Sequence, residues 1–119
     1  MGDVNRRKYH RANYPCQLTM WMSDGSNETI LANTSNVGIG GLCVHLNQGI
    51  AVGTKADIIL SFSTPPTPFS CQGVVVRSRK ESEQFYNIGI KFADLSDSKK
   101  AFLDAKVLEL LSLESKGKS

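Results

Sequence analysis

Apolar and polar residues alternate along most of the chain, with the period of two that is typical of half-buried β-strands. The alternation is clearest at residues 16–22, 56–62 and 86–92. Shorter or less regular apolar runs predict three more strands, at 29–32, 39–46 and 69–79. Gly40 and Gly41 weaken the 39–46 run, which indicates a bulge or a close approach of another backbone there.

Clusters of turn-forming residues separate the predicted strands. Residues 23–27 and 47–49 are predicted turns, and the charged segment 80–84 is a predicted hairpin loop. The polar segment 33–38 is a predicted bend. The proline-rich segment 63–68 is a predicted loop, because proline cannot donate to a central ladder. Six short strands at this spacing favour a closed antiparallel sheet over an open one.

The period changes to that of a helix after Leu95. Leu103, Val107, Leu110 and Leu111 follow one another at the spacing of one helical face. Either Ser96 or Asp97 can cap the start of this helix, and the segment 116–118 ends it. We therefore predict an all-β protein with one C-terminal helix: a six-stranded antiparallel β-barrel on which the helix packs.

The net charge of +3 is concentrated at the N-terminal end. Residues 1–13 hold Arg6, Arg7, Lys8 and Arg11 against the single acid Asp3, and the rest of the chain is electrically balanced. This pattern predicts a flexible basic arm over 1–13, a barrel with its helix over 14–113 and a disordered tail over 114–119. A short cationic arm on a neutral body suits a compact anion better than a long polyanion.

Length and composition exclude several classes of protein. A chain of 119 residues forms one domain, and no apolar run reaches the length of a membrane span. No signal sequence is evident, so we expect a cytoplasmic protein. Cys16, Cys43 and Cys71 lack the pairing of a disulfide framework or zinc site, so we expect reduced thiols and no metal. No nucleophile or carboxylate has a histidine partner in sequence context, and we expect no catalysis.

Two short motifs could carry binding chemistry. Arg7 and Arg11 lie four residues apart just before the first strand, and guanidinium groups match phosphate oxygens and the edge of guanine. Asn33, Ser35 and Gly38 follow some twenty residues later. These three residues also suit an ordinary turn, but facing outward they offer an acceptor and a hydroxyl to a base edge.

In this order the motifs resemble those of the PilZ domain family, bacterial receptors for cyclic di-GMP. That family carries Arg-x-x-x-Arg before the first strand and Asp/Asn-x-Ser-x-x-Gly near the second, which here are the segments 7–11 and 33–38. The segments 73–77 and 89–92 resemble the closing hairpin of the family. The resemblance spans roughly residues 5 to 110.

The resemblance implies a receptor that binds cyclic di-GMP and needs no cofactor. Arg7 and Arg11 would grip phosphates and guanine edges, and Arg77 would pack on a base. Arg6, which directly precedes the motif, is the position that the resemblance links to a stacked ligand dimer. The other implied ligand contacts are Asn33, Ser35 and Gly38. Asn33 replaces the aspartate that is commoner in the family. An amide offers guanine fewer acceptors than a carboxylate, but it also removes a negative charge beside an anionic ligand, and the two effects on binding oppose each other.

Three functions remain open at this point. The first is a receptor that changes conformation on binding cyclic di-GMP and signals to an unidentified protein partner, without binding DNA or inserting into a membrane. The second is a PilZ-like adaptor that binds protein and no ligand. The third is a small barrel that binds single-stranded nucleic acid through its basic arm.

Overall fold

The computed structural model describes residues 11–13, 15–22, 28–63, 66–93 and 95–117, and the statements below refer to these. The arm up to residue 10, with Arg6 and Arg7, and the predicted turn 23–27 lie outside them. The strands are β1 Arg11–Ala12, β2 Gln17–Met22, β3 Thr29–Gly38, β4 Gly41–Leu46, β5 Lys55–Ser63, β6 Pro66–Ser82 and β7 Phe85–Ala93, and the helix is α1 Asp97–Gly117.

Six of these strands close into an antiparallel barrel, as the alternating pattern predicts. Their order is β3-β2-β5-β6-β7-β4, and β4 pairs back onto β3. The two-residue strand β1 adds to the far end of β3, where Arg11 pairs with Gly38. Because the sheet is closed, each described barrel strand has a neighbour on both sides, and no exposed edge is left to pair with another chain. The predicted fold class is confirmed.

The inward positions of the alternation form the core. Leu18 and Met20 of β2 and Ile58 and Leu60 of β5 are almost fully buried. Ile88 and Ile90 of β7 are buried in the same way, while Gln17, Asp57 and Lys91 between the inward positions are exposed. The predicted inward faces of 16–22, 56–62 and 86–92 are therefore confirmed.

Helix α1 lies against β1 and β3. It buries Leu103, Val107 and Leu110, and Leu111 is half-buried beside them. The Ser96 hydroxyl accepts a hydrogen bond from the Lys99 N–H at 3.2 Å, which identifies Ser96 as the cap. Within the part of the chain that the structure describes, no helix is both long and apolar enough to cross a membrane.

The predicted bend at 33–38 is wrong, because β3 continues through to Gly38. Thr34 turns inward and is 3% exposed, and its Oγ1 accepts a hydrogen bond from the Cys16 N–H at 3.0 Å. The Thr34 N–H donates in return to the Cys16 carbonyl at 2.9 Å. A register shift between Thr34 and Asn36 absorbs the extra residue, Ser35, as a bulge. The turn-forming residues are thus accommodated inside a strand.

The predicted loop at 63–68 is also too long. β5 extends to Ser63 and β6 begins at Pro66. This first part of β6 pairs with β5 alone, since pairing with β7 begins only at Gln72. Proline is tolerated there because no second neighbour requires its missing N–H. The predicted loop at 80–84 shortens in the same way to a turn at Glu83 and Gln84.

Two described segments extend into the regions predicted as arm and tail. Arg11 and Ala12, near the end of the predicted arm 1–13, belong to β1. Helix α1 extends to Gly117, four residues into the predicted tail. Ala12 is fully buried, and burial of this side chain holds the chain against the barrel at that point. The division into arm, barrel and tail otherwise stays a prediction.

The three cysteines are free, as expected. Cys16 is buried and its burial raises the pKa of the thiol to about 11, against a smaller opposite effect of the hydrogen bond with Thr34. Burial likewise raises the pKa of Cys71 to about 11, and the positive charge of Lys99 counters it in part. Both thiols therefore stay protonated at neutral pH.

Gly41 is required by the close approach of β4 and β7. A Cβ at this position would overlap the carbonyl oxygen of Ile90, and both backbones belong to the β4–β7 ladder. We expect Gly41→Ala to lower the free energy of unfolding by about 1–3 kcal/mol. The matched control is Gly40→Ala, since a Cβ at Gly40 meets nothing within 4 Å. Urea denaturation measures both; equal stability of the two variants would contradict the register.

Thiol labelling tests the burial of the cysteines. At pH 8, a thiol whose pKa is near 11 is about one part in a thousand thiolate, the reactive form. We expect iodoacetamide to label Cys43, on the outer surface, before Cys16 and Cys71, whose rates should rise about tenfold per pH unit up to pH 10. Mass spectrometry of peptides identifies the labelled residue. Labelling of Cys16 as early as Cys43 in the folded protein would refute this assignment.

Candidate ligand-binding groove

A row of outward-facing residues crosses four neighbouring strands of the barrel. Asn36 of β3 pairs with Cys43 of β4, and Cys43 pairs with Gly89 of β7. Gly89 pairs in turn with Arg77 of β6. Paired residues in antiparallel strands point to the same face of the sheet, so these four side-chain positions share the outer surface. The register thus joins residues that are as far apart as 36 and 89 in sequence.

An open groove of about 540 Å³ lies over this row. Its volume falls in the range of small-molecule sites. Three glycines and one cysteine are among the lining residues, so small side chains make up part of the groove surface. The lining residues are Arg11, Asn36, Gly40, Gly41, Leu42, Cys43, Val76, Arg77, Gly89, Ile90 and Lys91.

The charged side chains of the groove are all positive. Arg11, Arg77 and Lys91 line it, and its described lining contains no aspartate or glutamate. The rest of the protein carries acids and bases in equal number, so the groove stands out as a cationic site on a neutral body. Such a site favours an anion with at least two charged groups, since the cations come from three different strands.

Arg11 enters the groove from β1. Its backbone pairs with Gly38 at the end of β3, and its side chain donates a hydrogen bond to Oδ1 of Asn36. The half-buried guanidinium is therefore held at one margin of the groove while its other donors remain available. The pairing of Arg11 with the buried Gly38 links the first predicted motif directly to the last residue of the second.

Arg77 forms the opposite margin. Its Nε and Nη2 donate to Oδ1 of Asn87 at 3.1 and 2.9 Å, and Nη2 also contacts the sulfur of Cys43 at 2.8 Å. The side chain is exposed despite these contacts. A register shift between Val75 and Arg77 places both Val76 and Arg77 at the surface, where both line the groove.

Arg6 and Arg7 lie outside the described residues, and the other predicted site residues divide into two groups. Arg11 and Arg77 line the same groove, and Gly38 lies beside it as the partner of Arg11. Asn33 and Ser35 are on β3 but do not line the groove. Asn33 is exposed and pairs with Gln17.

Ser35 remains close to the groove although it is not in the lining. Its hydroxyl donates to the carbonyl oxygen of Cys43 at 3.2 Å, which is the backbone beneath one of the lining residues. A hydroxyl that donates one hydrogen bond keeps two lone pairs as acceptors. Ser35 therefore supports the sheet and can still accept from a ligand donor.

Several lining residues were not among the predicted site residues. Asn36 lies inside the second motif at a position that the motif leaves free, and Gly89 and Lys91 lie on the outward face of a strand chosen for its inward residues. A glycine at an outward strand position is a signal of close approach, and Gly89 could have been found in this way. Cys43 has no such signal, because only the pairing of β4 with β7 places it at Gly89.

Comparisons with known proteins agree with this architecture. The model of the PilZ domain family matches residues 5–109. A structure of the PilZ domain of YcgR from Escherichia coli with c-di-GMP has a TM-score of 0.73 and 16% sequence identity, covering 95% of this chain and 96% of that chain. A search of curated proteins found no match.

Larger solved proteins contain a similar unit. The Bacillus subtilis inhibitor of motility, MotI/DgrA, has a TM-score of 0.71 and 16% identity, covering 87% of this chain and 50% of that one. The MrkH–c-di-GMP complex of K. pneumonia has a TM-score of 0.67 and 18% identity, covering 96% of this chain and 56% of that one. This chain thus matches about half the length of each.

A structure of MrkH is described as that of a c-di-GMP-dependent transcription regulatory factor, so the expectation that this chain has no DNA partner receives no support from its structural neighbours and stays a prediction. At these sequence identities the likeness is one of fold: this chain and its structural neighbours share the closed six-stranded barrel with a C-terminal helix. With a family match that covers residues 5–109 of 119, the chain belongs to the PilZ domain family.

Proposed function

We propose that this PilZ domain is a receptor for cyclic di-GMP. The ligand binds in the outer groove, and its binding changes the conformation of the N-terminal arm. The observation that carries the proposal is the convergence of Arg11, Arg77 and Lys91 on one groove without a described acidic neighbour. Cyclic di-GMP presents two phosphodiester charges and two purines in a compact ring. The relatives solved with c-di-GMP, YcgR and MrkH, support this choice of anion.

Each margin of the groove suits a different part of the ligand. Arg11 has free donors for phosphate oxygens or for the O6/N7 edge of guanine. Arg77 exposes a flat guanidinium, which stacks well on a purine. Arg6 and Arg7 precede Arg11 by at most five residues, so an extended chain places them within about 18 Å of it. In this proposal both close over the ligand from the arm.

Asn33 and Ser35 contribute on the β3 side. The exposed amide of Asn33 offers one acceptor and two donors, and Ser35 offers an acceptor while it donates to Cys43. Guanine carries adjacent N–H donors on its Watson–Crick edge, which these acceptors can meet. Gly38 ends β3 beside Arg11 and sets where the arm leaves the barrel.

The receptor acts by a change in shape and without catalysis. Ordering about six arm residues costs on the order of 6–12 kcal/mol. Four to six charge-assisted hydrogen bonds, at roughly 1.5–3 kcal/mol each, offset this cost with a modest surplus. The closed arm forms a new surface for a protein partner, and partner and ligand must then strengthen each other's binding reciprocally.

Arginine substitutions test the proposal. Because the surplus is modest, we expect Arg7→Ala or Arg11→Ala to weaken cyclic di-GMP binding about ten- to a hundredfold in isothermal titration calorimetry. The matched control is Arg79→Ala: Arg79 lies two residues beyond Arg77 on β6, forms an exposed ion pair with Glu81 and does not line the groove. We expect its affinity to stay within about twofold of the wild type.

The same titrations separate the competing functions. The stoichiometry of the wild-type isotherm distinguishes a single ligand from a stacked dimer. Absence of heat with cyclic di-GMP would leave the adaptor function, and tighter binding of a single-stranded oligonucleotide than of cyclic di-GMP would favour the nucleic-acid binder. Unchanged affinity in both the Arg7→Ala and Arg11→Ala variants would overturn the assigned site.

A further inference from the structure

We propose that Asn87 is a positioning residue that holds the Arg77 guanidinium flat over Gly89, ready to receive a base of the ligand. Asn87 does not line the groove and belongs to neither sequence motif. The inference rests on the proposed function, since it concerns how one residue of that site is oriented.

The position of the guanidinium follows from its distances to Gly89. A Cβ built on Gly89 would lie 3.0 Å from Cζ of Arg77, 3.1 Å from Nη2 and 3.2 Å from Nη1. A point that is nearly equidistant from these three atoms lies over the face of the group and not at its edge. The guanidinium therefore covers Gly89 with one face, and any side chain at position 89 would displace it.

The oxygen of Asn87 holds the group in this plane. Oδ1 accepts from both Nε and Nη2, at 3.1 and 2.9 Å, so the pair of bonds fixes the rotation of the guanidinium about its long axis. Nη2 also contacts the sulfur of Cys43 at 2.8 Å. Nη1 makes no hydrogen bond to a described residue and remains available to a ligand.

The other end of the Asn87 amide is held as well. Its Nδ2 donates to Oε2 of Glu81 at 3.4 Å and lies 3.4 Å from Nε2 of His45. The His45 ring stacks on Phe85, with centroids 4.4 Å apart and planes at 8°. A carboxylate on one side and a guanidinium on the other permit one orientation of the amide, with its oxygen toward Arg77.

This arrangement removes a cost that ligand binding would otherwise carry. An exposed arginine side chain samples many rotamers, and immobilising it opposes binding. Here the side chain is already fixed by Asn87 before the ligand arrives. Loss of Asn87 should therefore weaken binding through Arg77 alone, while leaving the other contacts intact.

A double-mutant cycle tests this dependence. Isothermal titration calorimetry with cyclic di-GMP compares the wild type, Asn87→Leu, Arg77→Ala and the double variant. Leucine keeps the branching and the number of heavy atoms of asparagine, although it is somewhat larger, and it cannot form the hydrogen bonds. We expect Asn87→Leu to weaken binding about three- to tenfold in the wild-type background and less than twofold when Arg77 is already alanine. Gln72→Ala is the matched control, since this amide bonds Asp57 outside the groove.

The outcomes of the cycle separate this inference from the proposed function. If the wild type does not bind cyclic di-GMP, the proposed function fails. If the wild type binds and Arg77→Ala weakens it while Asn87→Leu does not, only the positioning role fails. An equal loss in both backgrounds would show a general structural role and would also refute the inference. Should Asn87→Leu lower the melting temperature markedly, Asn87→Ala serves in the same cycle, with the same expected coupling.

Discussion

The pairing of β4 with β7 governs both the barrel and its groove. Gly41 packs directly on the backbone of Ile90, and Leu42, Val44, Ile88 and Ile90 turn inward from the two strands. The same register sends Cys43 and Gly89 outward side by side. A shift by one residue would exchange the two faces, exposing the isoleucines and filling the groove with core side chains. Packing of the core therefore holds the floor of the groove in place.

The groove combines a floor of paired strands with cationic margins that come from distant parts of the chain. Arg11 enters from the first strand and Arg77 and Lys91 come from the closing hairpin. Each arginine is anchored by an asparagine on the barrel, Asn36 for Arg11 and Asn87 for Arg77. Amide oxygens hold guanidinium groups without neutralising their charge, as a carboxylate would. The site thus keeps its positive potential for an anion while its geometry is constrained.

Local sequence patterns were sufficient for the architecture. The inward faces of β2, β5 and β7 follow from alternation alone, because burial on one face of a strand selects every second residue. The bend predicted at 33–38 failed because Thr34 satisfies its polar groups against Cys16, a partner that lies 18 positions away in sequence. The prolines at the start of β6 were predicted to lie in a loop for a related reason. A strand tolerates proline where it has no neighbour on one side, and local sequence does not show which neighbour is missing.

The candidate site was predictable only where motifs name its residues. Arg11 and Arg77 lie in the groove, whereas Asn33 and Ser35 lie beside it on β3. Asn36 and Lys91 were not predicted as site residues, because the register across strands, and not their local spacing, places them in the groove. Asn87 is more remote still, since its role depends on the orientation of another side chain.

The location of the ligand is the central claim, and a titration followed by amide and arginine Nε resonances in two-dimensional NMR tests it most directly. With cyclic di-GMP, we expect the largest shifts at Gly41, Cys43, Gly89 and the Nε–H of Arg77, with small changes at Trp21 and Gln72, which do not line the groove. Saturating shifts centred on Trp21 and Gln72, with Gly89 and Arg77 unmoved, would contradict the account.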